Sequence, residues 1–403
     1  MARVLERQVR RGGGAAVCVY HRGRKVVDVW AGTRDSAGRP WEAGTMAMSF
    51  STSKGVVSTL LHILADRGLL DYDAPVARYW PEFGQAGKES ITVREVLSHR
   101  AGLPHLRTLI DHAERILDWD HMVRALEEAR PGLRPGRRSA YHAFTFGWLA
   151  GELIQRVTGR SLPEVLHNEL TEPLGLDGLY IGAPPEAKER AAELGRPATG
   201  GALPRAAGLL NVSAWTGAVT GMTRAVGVPF DPKLMQDALV PPGNAGFLFE
   251  SRLLDVPIPA ANGLFTARSL ARVYAMLAAG GTLDGVRLLS AETVSRASEI
   301  QTFRPDRVLM LPMHWRLGYH SAFSTRGRIP GAFGHFGYGG SGAFADPKRE
   351  LAVAMINNRV SGGPFGDARI AFVANAALLA ARAVRRRRDS ARRVPLTVVG
   401  SRA

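Results

Sequence analysis

Residues 51–68 read STSKGVVSTLLHILADRG, and the interpretation of the whole chain depends on them. Apolar residues recur there with helical spacing, at positions 56, 57, 60, 61 and 64, and Gly68 is placed to end a helix. Ser51 and Lys54 stand at the start, three residues apart, so their Cβ atoms lie about 5–6 Å apart on one helix face. The sequence therefore predicts a helix whose first turn carries a serine beside a lysine.

This pairing has a chemical use. A serine hydroxyl is a poor nucleophile until a base removes its proton. A lysine can be that base only if burial or neighbouring cations lower its pKa. The first turn of a helix also has free backbone N–H groups, which stabilise developing negative charge. Ser51 is therefore a candidate nucleophile and Lys54 its candidate base.

Two further elements follow along the chain. Tyr141-His142-Ala143 precedes a predicted helix over 144–157, and a tyrosine near cations ionises more easily and can transfer a proton. Residues 335–342 read HFGYGGSG, and glycines at this density let the backbone approach a ligand closely. Each element alone has an ordinary interpretation, as a core tyrosine and as a glycine-rich turn between strands.

In this order, the three elements resemble the S-x-x-K, tyrosine and K-T-G motifs of the serine β-lactamase and penicillin-binding-protein superfamily. The chain is most similar to the class C β-lactamase-like carboxylesterases, and the resemblance covers most of its length. Four other stretches resemble the same family: LSHRAGLP at 97–104, NGLFTARSLA at 262–271, LDGVRLLS at 283–290 and GSGAFADP at 340–347.

The resemblance implies a role for each matching residue. Ser51 would accept the acyl group, and Lys54 would help to deprotonate it. Tyr141 would stand for the tyrosine of the family's Y-x-N motif. The backbone N–H groups of Ser51 and Tyr338 would form an oxyanion hole for the tetrahedral intermediate.

The chain departs from the family pattern at two positions. His335 and Gly337 occupy the first and third places of the K-T-G strand, so a histidine replaces the lysine that would hold a substrate carboxylate. An imidazole of ordinary pKa is mostly neutral at pH 7. Ala143 stands where Y-x-N has asparagine, which removes an amide contact to a β-lactam side chain. Both changes favour a neutral ester as substrate.

The same resemblance and the order of the elements predict a mixed α/β (α+β) fold of the β-lactamase type. A hairpin over 15–32 and strands over 342–345 and 351–356 would form one antiparallel sheet flanked by helices. Four parts are predicted. Residues 1–75 form the N-terminal part with the nucleophile helix, and residues 76–250 form a helix-rich insertion. Residues 251–384 form the C-terminal part of the sheet domain, and residues 385–403 form a basic tail.

Composition narrows the classes of function. The 403-residue chain is 45% hydrophobic, which excludes a wholly disordered protein. Its formal charge is +16, but only six of its 52 basic residues are lysine, so coding bias toward arginine is the simpler explanation. Motifs for nucleic-acid binding are absent from the sequence. The expected partner is a small-molecule ester, with weak membrane-surface contact through the basic tail as a minor option and the oligomeric state left open.

The single cysteine, Cys18, excludes an intrachain disulfide and a cysteine-based zinc cluster. The sequence has no H-E-x-x-H motif, so neither a metal nor another cofactor is expected. The N-terminal residues are charged and contain no apolar signal segment, and no apolar stretch reaches 18 residues. These features favour a cytoplasmic protein.

The leading hypothesis is a serine carboxylesterase that hydrolyses small or medium-chain esters through an acyl-enzyme on Ser51. An acyltransferase using the same acyl-enzyme, and a weak β-lactamase or D-alanyl peptidase, are the enzyme alternatives. A basic scaffold on the same fold is the alternative from another class. The G-x-S-x-G elbow of α/β-hydrolases is absent; the nearest match, at Gly339 to Ala343, ends in alanine, so Ser341 is expected to be a strand-end residue.

Overall fold

A six-stranded antiparallel sheet joins the two ends of the chain in the computed structural model, which describes residues 1–10, 12–195, 231–243, 245–360 and 367–392. The strand order is β2-β1-β11-β10-β9-β8. Strand β1 pairs with β11 from Ala15 opposite Asn357 to His21 opposite Leu351. Residues more than 300 positions apart are thus neighbours, as the predicted pairing of sequence-distant strands requires.

The strands of this sheet are β1 Gly14–His21, β2 Arg24–Gly32, β8 His320–Ser324, β9 Gly327–Phe336, β10 Gly342–Asp346 and β11 Leu351–Asn357. Two small sheets contain β3 Ala47–Met48, β4 Leu179–Tyr180 and β5 Leu264–Phe265, and β6 Thr282–Leu283 and β7 Val286–Arg287. The described α-helices are α1 Ala2–Val9, α2 Thr52–Asp66, α3 Val93–Leu97, α4 Trp119–Glu128, α5 Thr145–Thr158, α6 Leu162–Leu166, α7 Pro185–Lys188, α8 Pro232–Leu239, α9 Ala267–Ala278, α10 Ala291–Ala297 and α11 Arg369–Arg392. The shorter helical turns are Val76–Arg78, Pro81–Phe83, Leu106–Thr108, Ala113–Leu117, His167–Thr171, Ala245–Phe249, Ser251–Leu254 and Pro347–Arg349.

Both faces of the central sheet are covered. Successive side chains of a strand point to opposite faces, and in β1 Val17 faces a cluster built with α1 and α11, whereas Cys18 faces the large core that includes α2 and α9. Each fully buried valine of this kind stabilises the fold by about 1.5–3 kcal/mol. Helix α2, which begins directly after Ser51, is buried from Thr52 to Leu64, and this burial fixes the position of its first turn.

Local signals in the sequence predicted several elements correctly. The hairpin over 15–32 is β1 and β2, and the helix after Ser51 is α2. Thr92 and Ser161 each form both hydrogen bonds of a capping box, at the starts of α3 and α6. Gly159 adopts φ +66° after α5, a left-handed conformation that glycine reaches without strain.

Other elements differ from the prediction. Strands β8 and β9 and helix α1 were not predicted, because β9 is interrupted by Pro330 and three glycines and α1 is mostly polar. The C-terminal helix continues to Arg392, beyond the expected end at Val384, so the first part of the basic tail is helical. Arginine is a strong helix former, which accounts for the continuation.

The helix-rich insertion predicted for 76–250 contains α3 to α8 and one two-residue strand among its described residues. Its side chains share one hydrophobic cluster with α2 and the sheet. Residues 196–230, within the stretch expected to be irregular, and 393–403 of the tail lie outside the described residues. The domain boundaries therefore stay a prediction.

In the part of the chain that the structure describes, no helix combines the length and the apolar character needed to cross a bilayer. The cytoplasmic location also stays a prediction. The Cys18 thiol is buried in β1, and burial raises its pKa to about 12, so it is held in the unreactive protonated form.

Candidate active site

Ser51 lies at the junction between a short strand and helix α2. Strand β3 ends at Met48, and Ser51 is the residue that precedes the first turn of α2. Between them Phe50 adopts φ +45°, a conformation that costs free energy for any residue with a side chain. The turn thus holds the Ser51 hydroxyl, half-buried, at the end of a buried helix.

Lys54 is fully buried, and its amine is surrounded by oxygen atoms. Lys54 Nζ lies 3.0 Å from Ser51 Oγ, 2.7 Å from the carbonyl oxygen of Ala143 and 2.9 Å from that of Ala260. Burial lowers the pKa of Lys54 well below its ordinary value. A neutral amine would donate its two hydrogens to the two carbonyls and turn its lone pair toward Ser51 Oγ.

Tyr141 reaches the same serine from the helical part of the molecule. Its phenol donates a hydrogen bond of 2.7 Å to Ser51 Oγ. Burial raises the pKa of Tyr141 above its ordinary value, the opposite of the expectation that nearby cations make it ionise easily. Burial is the main cause of this rise, and Lys54, the cation over its ring, is itself driven toward the neutral form by burial. Tyr141 is therefore a hydrogen-bond donor at neutral pH.

His335 is the last buried residue of strand β9, and its side chain is only 1% exposed. Burial lowers the pKa of His335 well below its ordinary value, with further lowering by His320 and Lys54. The position where the family has a lysine cation thus holds a neutral ring. That ring stacks beside Tyr141 with 6.3 Å between the ring centroids.

Gly337 follows directly after β9 and lies against the turn that precedes Ser51. A Cβ atom at this position would stand 2.3 Å from the carbonyl oxygen of Ser49, so only glycine permits the approach. Tyr338 follows at once, and its ring packs edge-on against Phe50 at 5.6 Å between centroids. Throughout the described ranges, the backbone N–H groups of Ser51 and Tyr338 have no acceptor. The two N–H groups expected to form the oxyanion hole are thus free to donate hydrogen bonds to a substrate oxygen.

Enlarging Gly337 tests this close approach. Gly337→Ala is expected to push the end of β9 away from Ser49 and carry the Tyr338 N–H with it, lowering kcat for ester hydrolysis by about 10²- to 10³-fold, the loss typical of one oxyanion donor. Gly44→Ala is the control, because its Cβ would meet only the flexible end of Arg190. Steady-state kinetics of both variants measure the effect; an unchanged kcat in Gly337→Ala contradicts it.

The sequence analysis missed Asp306, a fully buried carboxylate. Its Oδ1 accepts the backbone N–H of Tyr141 at 3.0 Å, and its Oδ2 accepts the indole N–H of Trp315 at 2.8 Å. The Trp315 ring in turn stacks on the Tyr141 ring, with 5.4 Å between centroids and 8° between planes. Asp306 thus holds the tyrosine by its backbone and by its ring. Its sequence neighbourhood is irregular and carries no motif, so the sequence contained no signal for it.

Two other sequence interpretations can be placed. Ser341 lies at the start of β10, where its hydroxyl accepts the Asn357 N–H at 3.1 Å, consistent with a strand-end residue. Ala143 contributes its carbonyl oxygen to Lys54 rather than a side chain. Over the described residues, no group of three or more His, Cys, Asp or Glu side chains is arranged to hold a metal ion.

Comparison with known proteins agrees with this geometry. The family model described as Beta-lactamase matches residues 1–378. The esterase/beta-lactamase LipL of Mycobacterium tuberculosis (strain ATCC 25618 / H37Rv) is 42% identical over 354 residues, which cover 87% of this chain and 78% of that protein.

Solved structures show the same relationship. The crystal structure of a family VIII carboxylesterase superposes with a TM-score of 0.79 at 33% identity, covering 93% of this chain and 94% of the other. A penicillin-binding-protein homologue from Caulobacter crescentus superposes with a TM-score of 0.77 at 34% identity, covering 93% and 96%. The predicted β-lactamase-like fold is confirmed, and the chain belongs to the Beta-lactamase family.

Proposed function

We propose that this protein is a serine carboxylesterase that works through an acyl-enzyme on Ser51. The observation that carries the proposal is the convergence on one oxygen: Ser51 Oγ lies 3.0 Å from the amine of Lys54 and 2.7 Å from the phenol of Tyr141. A nucleophile with its base and a proton donor in hydrogen-bond reach is the arrangement that acyl transfer needs. Relatives named esterase and carboxylesterase support the same reaction.

In the acylation step, neutral Lys54 takes the proton of Ser51 as the Oγ–carbon bond forms. The oxyanion that develops is bound by the N–H groups of Ser51 and Tyr338. When the tetrahedral intermediate collapses, the phenol of Tyr141 protonates the leaving alkoxide, and the Lys54 ammonium returns its proton to the phenolate. The alcohol leaves, and Lys54 is neutral again.

In the deacylation step, water attacks the acyl carbon on Ser51. Its proton passes to Lys54, and the intermediate collapses with the proton delivered to Ser51 Oγ. Asp306 and Trp315 take no proton in this cycle; they keep Tyr141 in place. An alcohol that replaced water in this step would make the same protein an acyltransferase.

The substrate we propose is an ester without a carboxylate near the reacting carbonyl. β-Lactams and D-alanyl peptides carry such a carboxylate, and the position that would bind it holds the neutral, buried His335. Binding of an anion beside an uncharged ring forgoes the charge-assisted hydrogen bonds that a lysine supplies. Esterase activity should therefore exceed β-lactamase activity.

The test is hydrolysis of a p-nitrophenyl ester series, from acetate to a long acyl chain, with nitrocefin assayed in parallel. We expect ester turnover with an optimum at short or medium chains, little nitrocefin turnover, and labelling of the Ser51 peptide by a fluorophosphonate. Added short alcohols would reveal acyltransferase activity, because the acyl group would then appear as a new ester of the alcohol instead of as the free acid. Absence of both ester hydrolysis and labelling would contradict the proposal and favour a scaffold.

A further inference from the structure

Four arginines cluster on two adjoining segments next to the catalytic tyrosine: Arg137, Arg138, Arg304 and Arg307, called here the arginine patch. The two segments are joined by the backbone, since the Arg307 N–H donates to the Ser139 carbonyl at 2.9 Å. The pKa of Arg138 is lowered by burial and then by the other three cations of the patch, so each of the three lies near enough to repel Arg138.

Within the described ranges, no carboxylate forms an ion pair with a guanidinium group of the patch. Among the described residues, none of its four guanidinium groups has a carboxylate or other hydrogen-bond partner, and the Nε atoms of Arg138 and Arg307 are buried without an acceptor. Asp306 attracts Arg138, but its oxygens already accept four N–H groups. Elsewhere on the surface, arginines such as Arg94 bind carboxylates directly. Buried N–H groups without partners are costly, so this patch favours an anion from outside the chain.

The loop that carries two of these cations also carries two exposed apolar side chains. Phe303 is 67% exposed and Leu311 47% exposed, at the two ends of the loop that carries Arg304 and Arg307. The loop is rigidly held between them, because Asp306 Oδ1 accepts the N–H groups of Val308 and Leu309 at 2.9 and 3.0 Å. Large exposed apolar side chains next to unpaired cations are the composition of surfaces that lie against membranes.

We propose that the arginine patch with Phe303 and Leu311 is a docking surface for an anionic phospholipid membrane. The guanidinium groups bind lipid phosphates, and the two apolar side chains enter the boundary between headgroups and acyl chains. A nucleic acid would match the cations but would leave Leu311 in water, so the membrane is the better fit. Asp306 links this surface to Tyr141, so a docked molecule would present its active site close to the lipid.

Vesicle sedimentation of the full chain tests the proposal. We expect binding to vesicles of equal parts phosphatidylcholine and phosphatidylglycerol, and little binding to phosphatidylcholine alone. The double variant Arg304→Gln, Arg307→Gln should weaken binding about 30-fold, from about 1 kcal/mol per arginine at an anionic surface. The variant Phe303→Ser, Leu311→Ser should weaken it as well. The matched control, Arg24→Gln with Arg326→Gln, removes the same charge from exposed sites that have no ion pair within the described ranges, and it should bind like the wild type.

Insertion of the loop into the membrane is measured separately, with an environment-sensitive fluorophore attached to Leu311→Cys. The label is specific because the buried Cys18 thiol stays unlabelled. Its emission should shift to the blue on anionic vesicles. Patch variants that bind as tightly as the wild type would place the contact elsewhere, such as the C-terminal arginines, and overturn the proposal. An emission spectrum that does not shift when the protein binds vesicles would also overturn the proposal. The same holds if an oligonucleotide displaces the vesicles and its binding depends on Arg304 but not on Phe303. Thermal melting of each variant checks its fold, and none of these outcomes depends on ester turnover.

Discussion

Ser51→Ala is expected to abolish ester hydrolysis, lowering kcat/KM by more than about 10⁴-fold, as loss of the nucleophile does in other serine hydrolases. The Ser51 hydroxyl is the group on which the Lys54 amine and the Tyr141 phenol converge, and alanine leaves neither with anything to activate. The substitution removes one oxygen at a half-buried position, so the fold should persist. Steady-state kinetics and fluorophosphonate labelling measure the loss, and a thermal melting curve checks the fold.

Ser341→Ala is the control for this experiment. Ser341 lies in the glycine-rich stretch that comes nearest to the elbow motif of another hydrolase family, and its hydroxyl accepts hydrogen bonds from Asn357 instead of facing a base. We expect Ser341→Ala to keep its activity while Ser51→Ala loses it. Retained activity in Ser51→Ala would remove Ser51 from the mechanism, whatever the activity of Ser341→Ala.

Lys54→Met is expected to lower kcat/KM by about 10²- to 10⁴-fold, the contribution typical of a general base. Methionine keeps a similar length in a fully buried site but has no lone pair that can take the Ser51 proton. The pH profile should change too. In the wild type, activity is lost as pH falls through the Lys54 pKa, because the protonated amine cannot accept a proton. That pKa lies well below 10.5 because of burial. This fall in activity, the acidic limb of the pH profile, should be absent in Lys54→Met.

Lys88→Met is the matched control, because Lys88 is the other buried lysine of the described residues. Its Nζ donates to the carbonyl oxygens of Gln85, Glu127 and Ala129 at 2.9, 2.8 and 2.6 Å, far from Ser51 in the sequence and with no contact to it. Its loss should lower the melting temperature, since three carbonyls lose a donor, and leave the pH limb intact. A limb that persists in Lys54→Met would mean that another group is the base.

The elements predicted correctly are those whose signals are local. Helix α2 follows from the spacing of its apolar residues, and the starts of α3 and α6 follow from capping boxes within four residues. Strands β10 and β11 follow from two short apolar runs around Asp346-Pro347. The glycines and Pro330 of β9 obscured its signal in the sequence. The strand forms nevertheless, because a strand within a sheet is stabilised by its neighbours more than by its own composition.

The features of the candidate site also divide into those that the sequence predicted and those that depend on tertiary contacts. By itself, the sequence determined the membership of the chain in its family, the candidate pair Ser51 and Lys54 and the neutral character expected at His335, because residue type and spacing carry that information. Only the tertiary structure decided the two carbonyl partners of Lys54, the support of Tyr141 by Asp306 and the unpaired arginine patch. These depend on contacts between residues up to about 200 positions apart and on burial, which is the physical cause that lowers the pKa of Lys54.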